Sequence, residues 1–268
     1  MSSHIFKIES MSLTPTIDLK KNQMLETFGR KTLLMTGVSD ILPPKTNDVP
    51  MEEVFNLTLP SKQRYTEKHG YDLLTMRSFG SGKEYGFKDT NVGLLRMVRA
   101  FEMLKHYDVV MWIDADAIIT NDKFTIKDSF NLNQDHCFYA SYEWAEWCVP
   151  HQTFSTGNFI LQRTKDTETL FSTFLEVSKN HIEGFGEEQN AMNWIYKNTT
   201  LISTMKILEH LYLNAVPYAM YMDRIRCYND IHQKIYSPWK DTDFLAHIGG
   251  LPNKNRINIL NTHFKNYL

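Results

Sequence analysis

Apolar positions gather first in Thr32-Leu-Leu-Met-Thr36, a short run closed by Gly37, then in Tyr71-Asp-Leu-Leu-Thr-Met76 and Val109-Val-Met-Trp-Ile113. Runs of this length, bounded by glycine or polar residues, predict strands. The third has no polar position and predicts a strand buried on both faces. Between the runs the period changes. Val92, Leu95, Val98, Phe101 and Leu104 recur at helical spacing and predict a helix over 89–105, with Asp89 as its cap. Residues 61–69 read as a further helix stopped by Gly70, and the prolines of 41–50 predict a loop. Strand, helix, strand, helix, strand predicts an α/β domain with a mostly parallel sheet. Later strands are expected at 137–141, 158–162 and 212–216, and helices at 167–180 and 187–197. Residues 1–29 read as a polar arm with one amphipathic helix at 18–28. No repeat or linker divides 30–268, which read as one domain.

Composition removes some classes. The net charge of −2 gives no global field for nucleic acid or anionic lipid. Cys137, Cys148 and Cys227 form no CxxC pair, and an odd, sparse set reads as reduced thiols. No apolar run has the length of a transmembrane helix, and MSSHIFKIES has no apolar leader core. The expectation is a cytoplasmic protein with no transmembrane segment and no nucleic-acid partner.

Asp114 and Asp116 stand directly after the buried run. If strand geometry persists, positions i and i+2 face one side, and both carboxylates point into one cleft. Open α/β sheets bind ligands beyond the carboxyl ends of their strands. Two such carboxylates repel each other without a cation between them, and their hard oxygens suit Mg²⁺ or Mn²⁺. An ion held there could bridge phosphate oxygens and neutralise a leaving diphosphate. The plainer reading is a turn cap; the apolar residues before the pair and Ala117-Ile-Ile after it favour the metal. The pattern also describes the haloacid-dehalogenase phosphohydrolases, in which the first Asp is a nucleophile. Their motif lies near the start of the domain, whereas here two β-α units precede it.

Further segments follow in order. Ser61-Lys62-x-x-Tyr65-x-x-x-His69-Gly70-Tyr71-Asp72 is a helix with an HGY turn, and Trp112-Ile-Asp114-Ala-Asp116-Ala-Ile-Ile-Thr-Asn121 a W-x-D-x-D-A-x-I-x-N block. Thr156-Gly157-Asn158-Phe159-Ile-Leu-Gln-Arg163 is a TG-x-F-L-x-R strand, Glu187-Glu188-Gln189 an acidic-acidic-Gln turn, and His247-Ile-Gly249-Gly250 an H-x-x-G. Together they resemble the retaining galactosyl-, mannosyl- and xylosyltransferases that include yeast Golgi α-mannosyltransferases and plant xyloglucan xylosyltransferases. The resemblance implies a GT-A fold, a Rossmann-like single nucleotide-sugar-binding domain that also carries the acceptor site. It implies metal-dependent transfer of galactose, xylose or mannose, with retention, to a glycan hydroxyl. A UDP-sugar is expected ahead of GDP-mannose, with Mn²⁺ or Mg²⁺. A non-catalytic carbohydrate-binding protein on the same fold is the alternative, and intact Asp114, Asp116 and His247 count against it. Two departures stand out. The family's basic residue two positions after the H-x-x-G glycine is Pro252 here, with Lys254 and Arg256 the next bases. Yeast and plant members carry a membrane anchor before the catalytic domain, and the expectation here is a chain without one.

The resemblance makes His247 a third ligand to the cation; a structural histidine is the alternative, against which Gly249 and Gly250 stand. These glycines would let backbone N–H groups approach phosphate, and Lys254 would reach the diphosphate. Gln189, with Glu188 or Glu187, would lie near the anomeric carbon; the alternative is the acidic first turn of a helix. Asn158 would contact the donor sugar, and Thr36 and Gly37 the base or ribose. Lys62 and Lys88 match family basic positions loosely. Tyr142, Trp144 and Trp147, with Glu143 and Glu146, form either an acceptor surface or an aromatic core edge.

Overall fold

The computed structural model describes residues 5–8, 31–39, 48–80, 82–87, 91–143, 154–180, 187–208, 210–217 and 239–268, and for 5–8 and 210–211 the backbone alone. The three apolar runs are strands β2 (Thr32–Gly37), β3 (Asp72–Met76) and β4 (Val109–Ile113). Strand β2 pairs in parallel with both others, placing Leu34 beside Leu73 on one side and Met111 on the other. With β1 (Ile5–Ile8), β6 (Phe138–Tyr142), β7 (Phe154–Gln162) and β8 (Met205–Leu208) they form a seven-stranded sheet ordered β1-β3-β2-β4-β7-β6-β8. Strand β7 runs against both its neighbours, and every other pairing in this sheet is parallel.

Alternation along β4 explains its burial. Val110 and Trp112 join a core with Leu94 and Val98 of helix α2 (Val92–Met103), Phe174 of the helix at Thr167–Asn180 (α4) and Met192 of the helix at Glu187–Asn198 (α5). Val109, Met111 and Ile113 face the opposite core, shared with Tyr65 of helix α1 (Met51–His69) and with Phe244 and Leu245. Fully burying a side chain such as Phe174 contributes roughly 1.5–3 kcal/mol relative to leaving it exposed. A small antiparallel sheet, β5 (Ala117–Ile119) with β9 (Leu245–His247), sits on this second face. Ile118 and Ala246 pack there with Val54 of α1 and with Ile259 and Leu260 of helix α7 (Asn253–His263). Short helices α3 (Ile126–Ser129) and α6 (His210–Leu213) complete the set. No helix among the described residues is long and apolar enough to cross a membrane.

Several elements differ from expectation. Helix α1 starts at Met51, ten residues before the predicted start, and runs through Pro60, the residue that makes its first half read as loop. Helix α2 is capped by Asn91, whose side chain accepts from Leu94 N at 3.1 Å; Asp89 lies outside the described residues, as do the helix expected at 18–28, Cys148 and Cys227. The strand expected at 212–216 is instead the end of α6 followed by irregular chain. That chain makes separate bonds, His247 N to Ala215 O (2.8 Å) and Trp239 N to Val216 O (2.9 Å), and Pro217 has no N–H to extend a ladder. Strands β1, β5, β8 and β9 were not expected. Cys137 is a buried free thiol.

Candidate active site at the carboxyl end of the sheet

Strand geometry does not persist through the aspartates. Strand β4 ends at Ile113; Ala117 N then donates to Asp114 O (3.1 Å), and β5 begins. A turn between two sheets, rather than the pleat of one strand, brings the carboxylates together. Helix α1 holds this turn from behind. Thr58 Oγ1 donates to Ala115 O (2.5 Å), Lys62 Nζ donates to Ala117 O (2.7 Å) and Thr58 Oγ1 (2.9 Å), and Ile119 N donates to Ser61 Oγ (3.2 Å). Lys62 is fully buried, and burial pushes its ammonium down to about 7, against the opposing pull of Asp116 and Asp114.

Pairing of β5 with β9 sets Ala117 opposite His247 and so carries the imidazole to the turn. His247 Nε2 lies 3.4 Å from Asp116 Oδ1 and 3.9 Å from Asp114 Oδ2. Asn214 Nδ2 donates to Tyr142 O (3.1 Å), which turns its Oδ1 toward His247 Nδ1 at 2.7 Å. The Nδ1 nitrogen is therefore protonated, and Nε2 meets the carboxylates either with a lone pair or with a second proton. A lone pair facing carboxylate oxygens is repulsive unless a cation lies between them. Burial acts to lower the His247 pKa, but the hydrogen bond to Asp116 and the charges of both aspartates outweigh it and raise it. Burial, reinforced by the Asp116 charge, raises the Asp114 carboxyl despite Arg96 and His247. For Asp116 burial acts upward as well, but Arg256 and His247 hold it well below the carboxylate range. The three side chains offer ligand atoms within 4.8 Å of one another. Two carboxylates and an imidazole fit a divalent cation such as Mn²⁺.

Arg96 of α2 ties Asp114 to the start of α5. Its Nη1 bonds Asp114 Oδ1, its Nη2 lies 2.7 Å from Glu188 Oε1, and Trp112 Nε1 donates to Asp114 Oδ1 at 2.7 Å. The two helices approach closely because residue 93 is glycine; a Cβ there would fall inside the Glu188 carboxylate. Thr156 Oγ1 donates to Glu188 Oε1 (3.3 Å), and Thr156 N donates to Gln189 Oε1 (2.9 Å). Gln189 Nε2 donates to Glu143 Oε2 (3.2 Å). At Gly157 a Cβ would stand 2.6 Å from His247 Cε1 and 3.0 Å from Asp114 Oδ2, so a side chain there would fill the cleft. The turn, β7, α5 and β9 thus meet at one place.

Other candidates lie around it. Asn158 is buried, accepting from Asp114 N (3.0 Å) and donating to Leu213 O (2.9 Å). Thr36 and Gly37 end β2, beside β4. Glu187 opens α5. Gly249 and Gly250 link β9 to α7, where Lys254 is exposed in the first turn. Tyr142 is 39% exposed. Lys88, Trp144, Glu146 and Trp147 lie outside the described residues.

Residues 30–257 match the sequence model of the galactosyl transferase GMA12/MNN10 family. The chain belongs to that family. No curated protein sequence matches it. Among solved structures, it is similar to a glycosyltransferase involved in glycosylation of the major capsid of PBCV-1, at 13% identity and a TM-score of 0.58, covering 86% of this chain and 98% of that one. It is also similar to the glycosyltransferase GlyE of Streptococcus pneumoniae TIGR4, at 16% identity and a TM-score of 0.54, covering 83% of this chain and 55% of that one. Mouse xyloside xylosyltransferase 1 gives 13% identity and a TM-score of 0.50, covering 82% of this chain and 97% of that one. The fold is GT-A, and this family member is a glycosyltransferase. Its nature as a transferase implies a nucleotide-sugar donor and a glycan acceptor. Arg96 and Asn214 join the candidate site although nothing in the sequence singled them out, because each acquires its partner only through the fold.

Proposed function

We propose that this transferase moves a hexose or pentose from a nucleoside diphosphate sugar, a UDP-sugar ahead of GDP-mannose, to a glycan hydroxyl, with retention and with Mn²⁺ or Mg²⁺. The observation that carries the reading is the Asp114–Asp116–His247 cluster, joined through Arg96 to Glu188 beside Gln189. When bound, the cation would neutralise charge on the leaving diphosphate. Asp114, Asp116 and His247 are the residues that would hold it. Glu188 and Gln189 hold and polarise the donor sugar, each already oriented by Thr156. Glu188 is paired with Arg96, which holds its carboxylate in place beside Gln189. In the proposed reaction the bond from the anomeric carbon to the diphosphate oxygen breaks and one to the acceptor oxygen forms on the same face. The acceptor proton passes to the departing diphosphate oxygen. Tyr142, exposed beside Glu143, supports an acceptor surface at this edge.

The test is a panel of nucleotide sugars assayed with and without Mn²⁺, followed by product NMR. An α-linked donor should give an α-linked product only when metal is present. A β-anomeric coupling in the new linkage would overturn retention, and metal-independent transfer would overturn the role of the cluster.

A further inference from the structure

We infer that Arg256 grips the diphosphate of the donor; the inference rests on the donor reading above. Three observations narrow the choice among the groups of α7. Pro252 offers neither an N–H nor a polar side chain. The amides at the start of the helix, which would otherwise receive an anion, are already taken: Asp48 Oδ2 accepts from Asn253 N (2.8 Å) and Asp48 Oδ1 from Lys254 N (2.9 Å). Lys254 and Arg256 are two residues apart, about 200° around a helix, and so leave it on nearly opposite sides. Lys254 is exposed, whereas Arg256 turns inward with its side chain only 12% accessible.

Arg256 Nη1 lies 3.3 Å from Asp116 Oδ2, on the oxygen away from His247, and 3.0 Å from Asn253 Oδ1. Its Nε is buried with no hydrogen-bond partner among the described residues. The fork is thus aimed at the cleft but incompletely satisfied, and an unmet buried donor favours any ligand that supplies an acceptor. A cation on the Asp114–Asp116–His247 face would stand on the same carboxylate as this guanidinium. Two positive groups sharing one carboxylate are stable together when an anion lies against both. A diphosphate would supply such an anion, and the planar guanidinium matches phosphate geometry.

Calorimetry on the full chain separates the possibilities, titrating first Mn²⁺ alone and then UDP, GDP and UMP at saturating Mn²⁺. Arg256→Ala should weaken diphosphate binding roughly ten- to hundredfold, as expected for losing a hydrogen bond between charged groups. UMP should lose less, and Mn²⁺ alone should bind as well as before or better, since a competing cation has gone. Arg256→Lys, which keeps the charge and guards against a folding defect, should show a smaller loss. Unchanged diphosphate affinity in Arg256→Ala would overturn the inference. So would a loss found in Lys254→Ala instead, or an equal loss for Mn²⁺ alone, which would mean that Arg256 only orients Asp116. Wild-type protein that binds Mn²⁺ but neither UDP nor GDP would overturn the donor reading itself.

Discussion

The two sides of the Asp114–Asp116 turn are built on different rules. On the back, side chains of α1 grip backbone atoms: Thr58 holds Ala115 O, Lys62 holds Ala117 O, and Ser61 receives Ile119 N. On the front, side chains meet side chains: Asp114 with Arg96 and Trp112, and Asp116 with His247 and Arg256. A backbone atom offers its bond in one direction set by the fold, so the back fixes where the turn lies. A carboxylate accepts from several directions and can exchange one cation for another. The front can therefore change partners while the back stays still. That division is what a site needs when its first shell must be preorganised by a rigid support.

Removing a front carboxylate should produce the largest effect. Asp116→Asn keeps the volume and removes the charge; Mn²⁺ affinity should fall by more than about a hundredfold, beyond the loss typical of an outer partner. Asp114→Ala should likewise abolish metal-dependent donor binding. Calorimetry checks both, and near-normal Mn²⁺ affinity in either variant would break the comparison at its centre.

A change at Lys62 probes the back through pH. Its folded pKa of about 7 lies below the ordinary 10.5, so between these values the unfolded chain binds the extra proton. Stability contributed by this group therefore rises with pH across that window, by at most about 1.4 kcal/mol per pH unit. Measured without metal from pH 7 to 9, the stability difference between wild type and Lys62→Met should grow with pH in favour of wild type. Loss of the bond to Ala117 O shifts the difference by a constant and leaves its slope alone. A flat difference would mean that the ammonium is not buried as described.

How much of this was legible follows from the range of each interaction. Val109–Ile113 announced a buried central strand because five apolar residues in succession need cover on both faces. The two aspartates approach each other for a different geometric reason from the one the sequence suggested, since the three-residue strand β5, not the pleat of β4, sets their approach. Strands β5 and β9 are too short to show a period, and their partners lie far apart in sequence. Arg96 sits in a helix that was foreseen, yet its bonds to Asp114 and Glu188 depend on Gly93 letting α5 approach. Asn214 fell within a segment expected to be a strand, where its side chain had no visible task.

Asn214 permits a finer test of the front. It fixes the His247 tautomer without lying among the proposed ligands. Asn214→Ala should weaken Mn²⁺ binding about ten- to hundredfold, the usual cost of losing an outer partner. Asn214→Asp, which still accepts from Nδ1, should recover much of that loss. Equal losses in both variants would show that the Tyr142 contact, not the imidazole, is what matters.

The smallest effect belongs to Ser61. Its Oγ accepts from Ile119 N (3.2 Å) and donates to Thr58 O (2.7 Å). In Ser61→Ala the buried Ile119 N–H loses that acceptor, which costs on the order of 1–2 kcal/mol. For a chain of this size that lowers the melting midpoint by roughly 2–4 °C for each kcal/mol. Ile119 lies three positions beyond Asp116, and Thr58 and Lys62 still hold Ala115 O and Ala117 O on either side of Asp116. Metal affinity should consequently stay within about threefold of wild type, well under one factor of ten per 1.4 kcal/mol. Thermal unfolding and Mn²⁺ titration of the same sample decide it. A tenfold weaker Mn²⁺ site with an unmoved midpoint would mean that α1 tunes the ligands directly, and the separation between a fixed back and an exchangeable front would not hold.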